Sequence, residues 1–155
     1  MDGDLLKHGI GLAIAEARAG LAEGGIPIGS ALLLGRDIVA VGRNQRIQRG
    51  SQILHAEMAC IESAGRRSDF DKMTLFTTLS PCLMCTGAVI QFRIKTVVIG
   101  ENRTFGGNEK FMADRGINVV ILNSQICYDL IQAFKDAHLD DWNEDIGEQL
   151  SSCTT

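Results

Sequence analysis

Apolar and polar positions along the chain fall into two alternating periods. Residues 5–25, "LLKHGIGLAIAEARAGLAEGG", carry apolar side chains at helical spacing and end in a glycine pair, which predicts an opening helix. "IGSALLLG" and "DIVAVGR" are short apolar runs joined across Gly35 and Arg36, which predicts an antiparallel hairpin. "NQRIQRGSQ" shows neither period and reads as an irregular polar loop. Helical spacing returns in "LHAEMACIESAG" and stops at Gly65, and "MTLFTTL", rich in Thr with one aromatic, reads as a strand. "PCLMCTGAVIQF" places Pro81 where a helix start favours proline. "KTVVIG" and "INVVIL" are β-branched runs of the kind buried inside a sheet, with a short helix, "NEKFMADRG", between them. "SQICYDLIQAFKDAH" and "DDWNEDIGEQL" read as closing helices.

That order, helix, hairpin, then alternating helices and strands, predicts an α/β fold: a three-layer α/β/α sandwich with helices on both faces of one sheet. At 155 residues, without repeats or low-complexity linkers, the expectation is one domain over residues 1–150 and a frayed tail over 151–155.

Composition narrows the function by exclusion. The net charge is −4 and the acids concentrate near the C-terminus in "LDDWNEDIGEQ". The one basic cluster, "GRNQRIQRG", is short and offset, so the chain lacks the footprint of a polyanion binder and no nucleic-acid partner is expected. No apolar run approaches the length that spans a bilayer, so no membrane partner is expected either. The acidic start, "MDGDLLKHGIG", is unlike a secretory signal, so the expected location is cytoplasmic, with thiols kept reduced. Five cysteines, an odd number, argue against a closed disulfide framework. Cys60 and Cys127 sit in helical patterns as small buried hydrophobes, and Cys153 lies in the polar tail as a free surface thiol.

Cys82 and Cys85 remain to be explained. In "PCLMC" they stand three apart in the first turn of a helix, on one face, where the helix N-terminus favours thiolate. Such thiolates suit either redox exchange or a metal. His55, in "LHAEM", also stands where a helix starts and supplies a third ligand. His8, on an otherwise apolar face of the opening helix, and His138, beside the acidic tail, read as ordinary histidines. A structural zinc takes four protein ligands, whereas a catalytic zinc takes three and leaves the fourth position for water. His55, Cys82 and Cys85 therefore predict one catalytic Zn2+ per chain. Glu57, two residues after His55, can reach the same water as a proton-transfer group, because burial raises a carboxylate's pKa. Together the two segments match the H-x-E…P-C-x-x-C signature of zinc deaminases.

On these motifs the chain resembles the cytidine-deaminase superfamily, and within it is similar to the yeast-type cytosine deaminases. The resemblance runs from the opening helix through "EGGIPIG", "GRNQRIQRGS", "TTLSPCLMCTGA" and "VVIGEN" to "DWNEDIGE". It implies a five-stranded mixed sheet flanked by helices, a homodimer, and hydrolysis of free cytosine, a small-molecule nucleobase, to uracil and ammonia. By matching position it implies that Asn44 hydrogen-bonds the pyrimidine edge and that Asp145 accepts from the exocyclic amine. It further implies that the Ala56 N–H donates to the ring carbonyl and that the Ser80 carbonyl lies near the leaving amine. Ile28, Leu79, Phe105 and Trp142 would form apolar walls, and the C-terminal segment a lid. Taken alone, Asn44 reads as a turn-capping loop residue, Asp145 as a capping or solvated acid, and Phe105 and Trp142 as core.

Two positions depart from the yeast-type pattern: Ala56 replaces a glycine between the zinc histidine and the glutamate, and Asn143 replaces an aromatic. Both bear on the choice of heterocycle, and leave isocytosine, creatinine or guanine as alternatives to cytosine. A tRNA adenosine deaminase shares the zinc motif but is expected to carry a basic C-terminal end, where this chain is acidic.

Overall fold

Asp2 starts the first helix, α1 (Gly3–Ala22), by accepting from the Asp4 N–H at 3.1 Å. The structure is a computed structural model and describes residues 1–148. The expected tail, with Cys153, and the last two residues of "DDWNEDIGEQL" lie outside the described residues. Past α1, the Gly25 N–H returns to the Gly20 carbonyl at 2.8 Å and Gly24 takes φ 83°, a left-handed exit that glycine tolerates. The hairpin follows as β1 (Gly29–Leu34) and β2 (Asp37–Arg43).

The segment expected to be an irregular loop contains a single helical turn, α2 (Arg46–Arg49), closed by Gly50 at φ 58°. Arg46 within it is buried, anchored by contacts far along the chain that no local period reveals. Then come α3 (Ala56–Ala64), a 3-10 turn at Phe70–Lys72, β3 (Met73–Leu79), α4 (Leu83–Gln91) and β4 (Thr96–Glu101). The chain continues through α5 (Glu109–Ala113), β5 (Asn118–Ile121), α6 (Gln125–Ala137) and α7 (Leu139–Asp145). Cys82 is the N-cap of α4, so it precedes the first turn in which it was expected, and Pro81 lies one residue outside. His8 is exposed, not set against an apolar surface.

The five strands form one mixed sheet in the order β2-β1-β3-β4-β5. β1 pairs antiparallel with both β2 and β3, whereas β3, β4 and β5 run parallel. Alternation along each strand separates the two faces. Leu32, Leu75, Val97 and Ile99 point to the side covered by α3 and α4, joining Cys60, Ile61 and Val89. Ala31, Leu33, Phe76 and Val98 point the other way, against Ala13 of α1. Gly100 shares Val98's face, and a side chain there would strike Cys127 of α6, so α6 flanks the sheet beside α1. The three-layer α/β/α arrangement with helices on both faces is thus present.

Strand direction also places the site. Because β1 is antiparallel to β3, the start of β1, the end of β2 and the ends of β3 and β4 all lie at one edge of the sheet. Ile28, Asn44, Leu79, Ser80 and the loop after Glu101 therefore converge. The ladder extends to them, with the Asn44 N–H donating to the Ile28 carbonyl and the Ser80 N–H to the Glu101 carbonyl, each at 3.0 Å. Binding outside the carboxyl ends of parallel strands is a general property of open α/β sheets.

Candidate metal and active site

His55 is the N-cap of α3, with extended backbone (φ −62°, ψ 162°) and no capping bond from its side chain, which is free to turn into the site. Cys82 occupies the equivalent place on α4 and its sulfur accepts from the Cys85 N–H at 3.5 Å. The Cys82 sulfur and His55 Nδ1 are 3.4 Å apart, and ligand atoms of His55, Cys82 and Cys85 all lie within 4.8 Å of one another. Ligands at zinc–sulfur and zinc–nitrogen distances of about 2.3 and 2.0 Å on a tetrahedron are separated by about 3.5 Å. The donor set and its spacing therefore fit zinc with three protein ligands.

The electrostatics of Cys82 agree with that chemistry. The hydrogen bond with Cys85 and the neighbouring His55 hold the Cys82 thiol down to about 4 against the opposing effect of burial. Thiolate is the form that binds metal. Burial lowers the His55 pKa, but the Cys82 hydrogen bond and the charges of Asp145, Glu57 and Cys82 outweigh it and raise it to about 9, so zinc must displace a proton from this imidazole. His55 Nε2 lies 3.5 Å from Asp145 Oδ1, a carboxylate behind a histidine ligand of the kind that orients metal-binding imidazoles.

Glu57 is buried in the first turn of α3. Burial, and then the Cys82 charge, push its pKa up, with His55 opposing. Thr77 Oγ1 stands 3.0 Å from Glu57 Oε1 and 3.1 Å from the Leu79 carbonyl. A carboxylate whose pKa is raised is better suited both to take and to return a proton.

Ile28, His55, Glu57, Leu79, Ser80, Cys82, Phe105, Asp145 and Ile146 line a small cavity of about 20 Å3. Of the remaining residues expected here, Cys85 belongs to the ligand cluster but lies behind Cys82, buried. Ala56 opens α3, so its N–H belongs to the turn without intrahelical partners, and its side chain joins the apolar cluster that includes Trp142. Trp142 is buried beside Ile28 and Leu79 but behind the lining. Asn44, fully buried, spends its amide on protein: Nδ2 donates to Asp145 Oδ1 at 2.7 Å and Oδ1 accepts from the Arg46 N–H at 3.1 Å.

Three contributors escaped sequence reasoning. Arg46 is 3.6 Å from Asp145 and 3.0 Å from Glu144, so it ties α2 to α7 over the site. Burial raises the Asp145 pKa, while His55, Asn44 and Arg46 counter it. Thr77 supports Glu57, and Glu109 accepts from Ser80 Oγ at 2.7 Å. For Arg46 a signal existed in the matching of "GRNQRIQRG" with the late acids of "WNED"; for Thr77 and Glu109 there was none.

Residues 6–101 match the family described as cytidine and deoxycytidylate deaminase zinc-binding region, a span holding all three ligands and Glu57. A cytosine deaminase of Candida albicans is 48% identical over 145 residues, covering 92% of this chain and 97% of that protein. A tRNA-specific adenosine deaminase of Bacillus subtilis is 38% identical over 98 residues, 61% of each chain. Among solved structures, one from a study of A-to-I editing by tRNA:A34 deaminases superposes with a TM-score of 0.70 at 26% identity, covering 80% of this chain and 99% of that one. A guanine deaminase from Nitrosomonas europaea shares the fold, with a TM-score of 0.69 at 21% identity over 88% of this chain and 94% of its own. With ligand triad, buried glutamate and family match in agreement, the chain belongs to the cytidine and deoxycytidylate deaminase family of zinc-binding proteins.

Proposed function

We propose that this protein is a zinc-dependent hydrolase that deaminates free cytosine to uracil and ammonia. The observation that carries the reading is the buried Glu57 beside the His55–Cys82–Cys85 cluster, with Glu57, His55 and Cys82 lining a small cavity. The 48% identity to a cytosine deaminase across nearly the whole chain supports cytosine over larger bases. Zinc, held by His55, Cys82 and Cys85, supplies Lewis acidity that makes water nucleophilic at neutral pH.

Glu57 takes a proton from the attacking water and passes it to the ring nitrogen beside the amine-bearing carbon. It then carries the second proton to the amine, which leaves as ammonia, while the ring keeps the water's oxygen as a carbonyl. Asp145 accepts from the amine before it leaves, and the Ser80 carbonyl borders the departing group. The Ala56 N–H addresses the ring carbonyl and Asn44 the pyrimidine edge, while Ile28, Leu79, Phe105 and Trp142 hold the flat ring between apolar surfaces. Asn44 serves in part through Asp145, to which it is bonded at 2.7 Å. Room for about one water molecule is all that the 20 Å3 cavity offers, so α7, which carries Asp145 and Trp142, moves aside as a lid to admit the base.

Residues 1–150 work as one domain, in the cytoplasm, as a homodimer. Support for the dimer comes from Ile47, Ile53 and Leu83, which are 43%, 55% and 67% exposed on α2, the loop before α3 and the start of α4. Large apolar side chains on such segments suit a subunit interface. Light scattering of the purified protein tests it, and a Leu83→Glu chain that remains dimeric would remove Leu83 from the interface.

The deciding experiment incubates zinc-loaded protein with cytosine and follows ammonia together with the ultraviolet change from cytosine to uracil. Glu57→Gln serves as the control, and isocytosine, creatinine and guanine run in parallel. Turnover of cytosine by the wild type alone supports the reading, whereas turnover of only another heterocycle would overturn the substrate and keep the chemistry.

A further inference from the structure

The loop between β4 and α5 is wound around two carboxylates, Glu101 at the end of the strand and Glu109 at the start of the helix. Glu101, fully buried at the end of β4, accepts from the N–H groups of Arg103 and Thr104 at 2.7 and 3.1 Å and from the Thr104 hydroxyl. Glu109, in the first turn of α5, turns back across the loop instead of lying along its helix. Its Oε1 accepts from Ser80 Oγ at 2.7 Å and from Asn102 Nδ2 at 3.3 Å, and its Oε2 from the Gly107 N–H at 2.8 Å. A second strap runs alongside, with Asn108 Nδ2 donating to the Pro81 carbonyl at 3.0 Å. The wrap is close: a Cβ at Gly106 would stand 2.9 Å from Glu109 Oε1.

Phe105 lies between these two anchors and lines the cavity together with Leu79 and Ser80. Glu109 does not line the cavity; it touches what does. We propose that Glu109 is a positioning residue for the substrate pocket: its carboxylate straps the Phe105 loop to Ser80 and so sets the width of the slot that grips the base. A charged acceptor holding three donors is a firm strap, since hydrogen bonds to ionised groups are the stronger class. Ordering an aromatic wall before the ligand arrives lowers the entropy that binding must otherwise overcome. This inference rests on the deaminase reading for its substrate but not for its geometry.

Two variants separate the strap from general folding. Glu109→Ala removes every bond; Glu109→Gln can still accept from Ser80 and Asn102 through its carbonyl, but its amide meets the Gly107 N–H donor to donor. The zinc enzyme is expected to show a KM for cytosine raised about tenfold in Glu109→Ala and less in Glu109→Gln, the effect of losing one charged hydrogen bond. Expected alongside are kcat within about threefold of wild type and unchanged zinc content, because the carboxylate touches neither ligands nor reacting atoms. Uracil affinity, read from the fluorescence of Trp142, the single tryptophan, should fall by the same factor as KM rises. Ser80→Ala should add little on top of Glu109→Ala, since both cut the same bond.

Fluorine NMR of fluorophenylalanine-labelled protein gives a readout free of activity. The Phe105 resonance, assigned through Phe105→Leu, should shift or broaden in Glu109→Ala. An unmoved resonance with unchanged KM and uracil affinity overturns the strap, as does a fall in kcat at constant KM. A wild type that ignores cytosine overturns the substrate reading alone, and the resonance then decides the strap.

Discussion

Glu57 and its surroundings carry the sharpest expectations for single residues. Replacing it with Gln keeps the shape and removes the proton carrier, so Glu57→Gln should bind zinc normally and lose about 10^2- to 10^4-fold in kcat. Substantial residual turnover by a zinc-loaded variant would remove Glu57 from the chemistry. Thr77 has one hydroxyl hydrogen and two acceptors in reach, the Glu57 carboxylate and the Leu79 carbonyl. Thr77→Val should therefore lower kcat by about tenfold through a mis-set carboxylate, and Thr77→Ser should restore it. Glu109 provides the pH dependence. Burial works to raise its pKa, but bonds from Ser80, Gly107 and Asn102 prevail and hold it below the ordinary glutamate range. A depressed acid stabilises the fold above its unfolded pKa and loses that contribution as pH falls through the folded value. Denaturation of wild type and Glu109→Gln should thus show the wild type more stable at neutral pH, with the gap closing in acid; a gap that widens in acid contradicts the sign.

At the scale of elements, how α3 rests on the sheet decides where His55 and Glu57 point. Gly42 of β2 lets the helix approach: a Cβ there would stand 2.4 Å from the Cys60 backbone nitrogen and 2.8 Å from the Ala56 carbonyl. Backbone cannot give way as a side chain can. Gly42→Ala should cost about 1–3 kcal/mol by overpacking and reduce zinc retention along with the melting temperature. A variant as stable as wild type would mean that α3 shifts freely. The same region shows what sequence patterns reveal and what they leave out. The period of "LHAEMACIESAG" marked α3, and ligand spacing marked His55, Cys82 and Cys85, because local backbone geometry creates both signals. The helical turn at Arg46 carried no such signal, because partners 98 and 99 residues away hold it, at Glu144 and Asp145. Cys82 proved to be a cap and not a first-turn residue, a difference of one position that a side-chain period of 3.6 is too coarse to detect. Glu57's partner at Thr77 arises from packing of a helix on a strand, which residue order does not encode locally.

For the molecule as a whole, zinc is a cross-link as well as a reagent. Its ligands come from two junctions, the start of α3 after the hairpin and the passage from β3 into α4, which lie 27 residues apart in the chain. Both helices cover the same face of the sheet, and their N-termini meet over the cavity. An unfolded chain presents no such cluster, so the metal binds the native state and stabilises it by mass action. With free zinc at about a thousand times its dissociation constant, that stabilisation is about 4 kcal/mol. For a domain of this size it corresponds to about 10 °C in melting temperature. Calorimetry of zinc-loaded and chelator-treated protein should show that drop, with one zinc per chain restoring it, and Cys85→Ser should melt near the chelated protein whether or not zinc is added. Because Cys85 is buried and away from the cavity lining, its loss reports the cross-link separately from substrate contact. Equal melting temperatures with and without metal would mean that α3 and α4 are held by their apolar face alone, through Cys60, Ile61 and Val89 against the sheet. Zinc would then act only in the chemistry.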